Sequence, residues 1–278
     1  MFDKRGHRRR LEEIDETPAE GGRWSTWDQS TPTERGPKPY PDWLVTELAA
    51  VDTELGVLKT GKEADVFLVD RGIPGTDRRC RLAAKRYRSG EHRMFHRDSG
   101  YLEGRRVKES RMNRAMQGRT GFGRELIAGQ WAAAEFAALC RLYSAGVPVP
   151  YPVQILGTEL LLEFIGDGTT AAPRVAELRR EMDLDDVWRQ LVEAMHLMAQ
   201  AGFAHGDLSA YNLLVHKGRL VVIDLPQIVD VVANPQGRRF LTRDAQNVAA
   251  WFSRLGVSHA DGDELAADLL HTAGLRGT

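Results

Sequence analysis

An α+β fold of two lobes, a small antiparallel sheet followed by a mostly helical part, is what the sequence predicts, and three observations carry the prediction. Short apolar or β-branched runs bounded by turn residues crowd the first part of the chain: Val57-Leu58, Val66 to Val69, Leu82 to Tyr87, Val153 to Leu156 and Glu159 to Phe164. Beyond them, apolar residues recur at helical spacing over about Asp185 to Ala201, Asp244 to Leu255 and Asp263 to Leu270. Between the two regions, Gly166-Asp167-Gly168 supplies a glycine pair suited to a hinge between lobes. The expected division is a disordered polar tail over 1–40, a first lobe over 41–165 that carries a basic insertion at 86–130, and a second lobe over 166–278.

Composition narrows the function. With 278 residues, 42% of them hydrophobic, the chain can bury a sizeable core. Its formal net charge of -1 excludes wholesale binding to polyanions, so any nucleic-acid contact must use a local basic patch. Cys80 and Cys140 are too few for a disulfide framework, and no cysteine/histidine cluster has zinc-ligand spacing. The basic amino terminus is followed by no apolar signal core, and no run is long enough to span a membrane. A cytoplasmic protein with no membrane partner is expected.

Residues 1–40 mix charge with Gly, Pro, Ser and Thr, and Trp24 and Trp27 are their only large anchors. From Pro41 the pattern changes: Leu44, Leu48, Val51 and Leu55 recur at offsets of three to four, and the folded domain is expected to start there. Thr60-Gly61-Lys62-Glu63-Ala64-Asp65 then separates two strand-like runs, and a turn with one Gly and one Lys can lay N–H groups and an ammonium over phosphates. It is not a Walker loop, which needs G-x-x-x-x-G-K-[ST]. In the next strand, Ala83-Ala84-Lys85 is similar to the Val-Ala-Ile-Lys pattern that sends a lysine to the α- and β-phosphates. Such a lysine needs a carboxylate partner. Glu135 is the best candidate, since a helix from about Gln130 to Tyr143 puts it on one face with Trp131, Leu139 and Leu142, where an unpaired glutamate would be costly. Gly146 to Pro150 ends that helix, and the backbone near Glu163 to Ile165 would face an adenine. In the helix over Asp185 to Ala201, Trp188, Leu191, Met195 and Met198 form a stripe read as core.

The most informative stretch is His205-Gly206-Asp207-Leu208-Ser209-Ala210-Tyr211-Asn212, followed by an apolar strand. An Asp followed five positions later by an Asn is the order of the phosphoryl-transfer loop H-R-D-x-x-x-x-N. In that chemistry the aspartate, here Asp207, accepts or orients the attacking hydroxyl, while Asn212 helps hold a divalent metal on the ATP phosphates. The run Leu220-Val221-Val222-Ile223 ends in Asp224, where such enzymes carry a second metal ligand. ATP and Mg2+ or Mn2+ are the expected cofactors.

Together these residues make the chain similar to the atypical protein kinases of the RIO family, nearer its first subfamily than its second. The resemblance runs from about 45 to 255 and rests on Thr60 to Val66, Lys85, Trp131 with Glu135, Ala145 to Pro150, Glu163 to Asp167, His205 to Asn212 and Ile223-Asp224-Leu225-Pro226-Gln227. It implies a two-lobed protein-kinase-like fold and a phosphotransferase or ATPase that passes the ATP γ-phosphate to serine or threonine or to its own aspartate. Lys85 would then contact the α- and β-phosphates with Glu135 as its pair, Thr60, Gly61 and Lys62 would lie over the phosphates, Asp207 would be the catalytic aspartate, and Asn212 and Asp224 would hold the metal. Asp224 resembles the RIO aspartate that itself accepts phosphate in part of the family. Two departures stand out: Gly206 replaces the alanine common in RIO proteins, giving the His-Gly-Asp usual in aminoglycoside and choline phosphotransferases, and Asp65 replaces an asparagine. Nothing after Asp224 resembles an activation segment with its Ala-Pro-Glu end. A small-molecule kinase and a nucleotide-gated factor acting on ribosomal particles are the alternatives. For the basic insertion, where Arg105, Arg106, Lys108, Arg111 and Arg114 recur, RNA contact is one reading and a solvated loop the other.

Overall fold

A computed structural model of the protein describes residues 18, 21–88, 121–178, 182–226 and 228–275. Six strands build one antiparallel sheet: β1 (Gly22–Trp24), β2 (Val51–Thr60), β3 (Ala64–Gly72), β4 (Arg79–Tyr87), β5 (Pro152–Leu156) and β6 (Glu159–Glu163), in the order β1-β2-β3-β4-β6-β5. Side-chain alternation along β4 divides its residues between the two faces. Cys80, Leu82 and Ala84 enter a core with Trp27, Leu44, Val45 and Tyr151, whereas Tyr87 joins the larger core on the opposite face. Lys85 lies on that second face by the same period of two, in register with Val66 on β3 and Leu160 on β6.

Helix α1 (Gly121–Ser144) packs beneath this face with Ala128, Ala132, Phe136, Leu139 and Leu142 buried. It ends where Gly146 takes φ 81° and the Val147 N–H reaches back to the Leu142 carbonyl at 3.0 Å, a glycine-based cap that satisfies the last turn. A two-residue hairpin, β7 (Gly166–Asp167) and β8 (Thr170–Ala171), occupies the stretch expected to be a hinge. The helical part follows. It comprises α2 (Leu184–Gln200), β9 (Phe203–Ala204), the hairpin β10 (Leu213–His216) and β11 (Arg219–Val222), β12 (Val229–Asp230), α3 (Gly237–Arg254) and α4 (Gly262–Thr272). Asp183 caps α2 by accepting from the Asp186 N–H at 3.0 Å, and Asp261 caps α4 in the same way. The stripe Trp188, Leu191, Met195 and Met198 is buried, with the Trp188 ring 5.3 Å from that of Phe252 on α3.

One expectation is corrected. The polar tail does not reach residue 40: Gly22–Trp24 pairs with β2 as edge strand β1, and residues 25–40 run as a strap over the outer face of the sheet. Trp27 is 4% exposed, with the Tyr40 ring edge-on at 5.1 Å and the Arg35 guanidinium stacked at 4.7 Å. Arg35 also donates to the Trp27 carbonyl at 2.7 Å. The Gly36 N–H donates to the Val153 carbonyl at 3.0 Å, and a Cβ at Gly36 would meet the Pro152 oxygen at 1.9 Å. Such a strap has neither helical nor strand period, because its order comes from single side chains docking on a sheet made elsewhere. The periodic stretch Leu44 to Leu55 leads into the sheet. Leu44 is buried, Leu48 is 49% exposed, and Val51 to Thr60 pairs with β3 as a strand. Of the basic insertion, residues 89–120 lie outside the described residues, as do 1–17 of the expected tail. Among the described residues no helix is long and apolar enough to cross a membrane.

Truncating Trp27 tests the strap. Trp27→Ala is expected to lower unfolding free energy by about 3–5 kcal/mol, measured by denaturant titration, whereas a mobile tail would leave it within roughly 0.5 kcal/mol of wild type.

Candidate active site

A cavity of about 330 Å³ opens between the sheet and the helical part. Its roof is apolar, from Leu58, Val66, Ala83 and Leu162, and its floor includes Leu214 and Ile223. Glu163, Phe164 and Ile165 form one wall. The Glu163 side chain is turned to the Tyr151 N–H, from which it accepts at 3.0 Å, and burial pushes its carboxyl above the ordinary glutamate range. The segment therefore meets the cavity without that carboxylate. The Ile165 carbonyl accepts from the Ala172 N–H at 2.9 Å, which ties this wall to the β7–β8 hairpin.

Charge gathers at the back of the cavity. The Lys85 ammonium donates to Glu135 Oε1 at 2.7 Å and to Asp224 Oδ1 at 3.2 Å. Lys85 and Glu135 are 7% and 2% exposed. The Tyr87 hydroxyl donates to Glu135 Oε2 and the Leu225 N–H to Oε1 at 3.2 Å, so both oxygens of this buried carboxylate are satisfied. Burial alone would drive Lys85 towards the neutral form, but the Glu135 and Asp224 charges outweigh it and hold its pKa above the usual lysine value. Burial likewise acts to raise Asp224, and Lys85 with Lys59 overcomes it, leaving this carboxyl well below the ordinary aspartate range. Lys59 was not anticipated from the sequence. Its ammonium lies 2.7 Å from Asp224 Oδ2. Asp224 adopts φ 65°, an uncommon backbone conformation for a non-glycine residue.

The loop from His205 to Asn212 lies beside this cluster. Pairing of Leu213 with Val222 in the β10–β11 hairpin, continued by an Ile223 N–H to Asn212 carbonyl bond of 2.9 Å, brings Asn212 alongside the start of the Asp224 segment. The Asn212 amide donates to the Asp207 carbonyl at 2.9 Å, and the Asp207 side chain is exposed. His205 is a buried strut: Nδ1 accepts from the Asp207 N–H at 3.4 Å, and Nε2 donates to the Ile223 carbonyl at 3.1 Å. A second strut was missed by sequence reasoning. Asp244, on α3 and 1% exposed, accepts from the N–H groups of Gly206 at 2.7 Å and Leu208 at 3.0 Å, while neighbouring Arg243 donates to the Gly206 carbonyl. Asp244 had been read only as a helix start, and no local signal marks its long-range role.

Thr60, Gly61 and Lys62 form the tip of the β2–β3 hairpin and do not line the cavity. The Gly61 N–H donates to the Ala64 carbonyl at 3.0 Å, and a Cβ there would lie 2.7 Å from that oxygen, so the turn requires glycine. Asp65, the departure from the asparagine, is held by both arms of Arg88 at 2.6 and 2.7 Å. Gly206 sits at φ 88°, a conformation that costs any L side chain about 1–2 kcal/mol, so glycine in this loop answers a backbone demand.

An apolar slot backed by charge, under a small sheet and over a helical base, puts this chain in the protein-kinase-like class. Comparison with known proteins narrows the class. The RIO domain family model matches residues 69–265, and the chain belongs to the RIO family. It is 38% identical over 216 residues to the RIO-type serine/threonine-protein kinase Rio1 of Haloferax volcanii, covering 77% of this chain and 68% of that one. Serine/threonine-protein kinase RIO3 of Mus musculus is 30% identical over 220 residues, which cover 76% of this chain and 40% of that protein. The Rio2 kinase of Chaetomium thermophilum, solved as an ADP/Mg2+-phosphoaspartate complex, superposes with a TM-score of 0.54 at 21% identity over 80% of this chain and 67% of that chain.

The buried pair makes a stability prediction. Lys85→Met should lower stability by about 3–5 kcal/mol by stranding Glu135, and adding Glu135→Gln should recover most of the loss in denaturant titrations. The sign against pH follows from the shifts. Asp224, lowered on folding, contributes fully above about pH 4 and loses its contribution as pH falls towards its folded value; Lys85, raised on folding, contributes fully below about pH 10 and loses it as pH rises through its folded value. The difference between wild type and the variants should therefore be flat between those limits and shrink outside them.

Proposed function

We propose that the protein is an ATP- and divalent-metal-dependent phosphotransferase of the RIO kinase type. The observation that carries this reading is Lys85, held between Glu135 and Asp224 at the back of an apolar cavity. Adenine fits the slot between Ala83 and Leu214, with the backbone of Glu163 and Ile165 as hydrogen-bonding partners. Lys85 receives the α- and β-phosphates, oriented by Glu135, and Thr60, Gly61 and Lys62 close over the phosphates from the hairpin tip. The donor set suits a metal shared with the nucleotide. Among the described residues no group of three His, Cys, Asp or Glu side chains is arranged to hold a metal alone, and Mg2+ on a nucleotide needs only one or two carboxylates beside phosphate oxygens. Asn212 and Asp224 are the residues that would hold it, and it would neutralise the charge developing on the transferred phosphoryl group. Asp207, exposed beside the cavity, orients the acceptor hydroxyl and takes its proton as the new P–O bond forms and the bond to ADP breaks. The lobes divide near residue 165 in this reading, where β6 gives way to the β7–β8 hairpin.

Asp207→Asn should still bind ATP while losing about 10²- to 10⁴-fold in phosphoryl transfer. The check is to pair calorimetry with transfer from γ-labelled ATP; wild-type turnover by this variant would refute the assignment of Asp207.

A second reading makes Asp224 the acceptor. Only residues 225–236 separate Asp224 from α3, which leaves little surface for placing a peptide hydroxyl, and a Rio2 relative is named as a phosphoaspartate complex. An Asp224 oxygen would attack the γ-phosphorus as ADP departs, and water would then cleave the acyl phosphate and restore the carboxylate. Label taken up from Mg-ATP is then expected to be lost in hydroxylamine and to be absent from Asp224→Asn; hydroxylamine-resistant label would point to a serine or threonine acceptor.

A further inference from the structure

Lys59 stands one position before Thr60, outside the residues assigned to the phosphates, yet it lines the same cavity as Lys85 and Asp224. Its ammonium takes Asp224 Oδ2 at 2.7 Å, while Lys85 takes Oδ1 at 3.2 Å. Both oxygens of the carboxylate proposed to hold the metal are thus covered by cations. The two lysines are not equivalent. Lys85 is anchored a second time, on Glu135, and its side chain is 9% exposed; the Lys59 side chain is 41% exposed, and the carboxylate it meets is Asp224 alone among the described residues. The strand that carries it also slips register against β3 between Val57 and Lys59. A metal ion entering with Lys59 in place would meet a positive charge on the oxygen it needs, so one of the two cations must leave, and Lys59 is the one free to do so.

We propose that Lys59 is a phosphate-binding residue that, without nucleotide, serves as the internal counter-cation of Asp224, and that it exchanges Asp224 for the β- and γ-phosphates when nucleotide enters. The inference rests on the proposed function and deepens it. The exchange frees Asp224 Oδ2 as the phosphates arrive, so nucleotide and metal help each other bind, and the metal alone binds poorly. An ammonium on a four-carbon stem suits the task, since a change of rotamer carries it from one anion to the other without movement of the strand.

The test uses the full chain and two equilibrium titrations, Mn2+ followed by the paramagnetic resonance of the free ion, and ATP in chelator followed by calorimetry. Relative to wild type, Lys59→Met is expected to bind Mn2+ about fivefold or more tightly in the absence of nucleotide, and to bind metal-free ATP about fivefold or more weakly. Lys59→Arg, which keeps the charge, should remain within about twofold of wild type for ATP, and equal thermal midpoints would show that the variants are folded. Unchanged or weaker Mn2+ binding by Lys59→Met, or unchanged ATP binding, would overturn the proposal. A wild-type chain that binds ATP neither with nor without metal would remove the proposed function itself, and this inference with it.

Discussion

The arrangement of charges around Lys85 is the constraint on which the rest of the structure depends. An isolated ammonium or carboxylate at that depth would cost several kcal/mol, so neither Lys85 nor Glu135 is tolerable without the other. Their partners come from three distant pieces of chain: β4 supplies the lysine, α1 the glutamate, and the end of the β10–β11 hairpin supplies Asp224. The ion pairs therefore fix α1 beneath the sheet and the helical part beneath both. The Leu225 N–H bound to Glu135 shows how closely the pieces are joined, because the residue after Asp224 completes the solvation of a glutamate ninety positions earlier. This bracing also accounts for Asp224 at φ 65°, a conformation that persists only where the surroundings over-determine it.

The loop from His205 to Asn212 is positioned by different means. Its polar backbone groups cannot pair within a strand or helix, and they are answered by side chains of α3: Asp244 takes two N–H groups and Arg243 one carbonyl. His205 adds a link to Ile223, so the loop and the Asp224 segment are held in a common frame. Asp207 is left exposed at its centre. Exposed Asp207 and the buried cluster of Lys85, Glu135 and Asp224 are thus set by separate networks, consistent with a rigid frame around an exposed side chain.

Departures from the family pattern have local physical causes. Gly206 meets a positive φ, and Asp65 gains a two-armed bond from Arg88, the residue that follows β4. The strap over 25–40 covers the outer face of the sheet, where Trp27, Tyr40 and Arg35 form a stack on residues that would otherwise meet water.

The sequence by itself determined the elements whose periodicity is generated locally: the strands around Lys85, the helix bearing Glu135, and the helices with stripes at Trp188 to Met198 and Val248 to Phe252. It also paired Lys85 with Glu135, because a glutamate on an apolar helix face and a lysine in an apolar strand are each costly enough alone to name the other. What the tertiary structure decided lay where one residue's role depends on a partner far along the chain. Lys59 reads as an ordinary lysine before a turn, Asp244 as a polar residue at a helix start, and Trp27 as either an anchor on the folded domain or a stray aromatic in a polar segment. Each becomes legible only when Asp224, Gly206 or the outer face of the sheet is brought against it, because local spacing reports the period of a segment and not the charge, backbone group or cavity that folding places opposite.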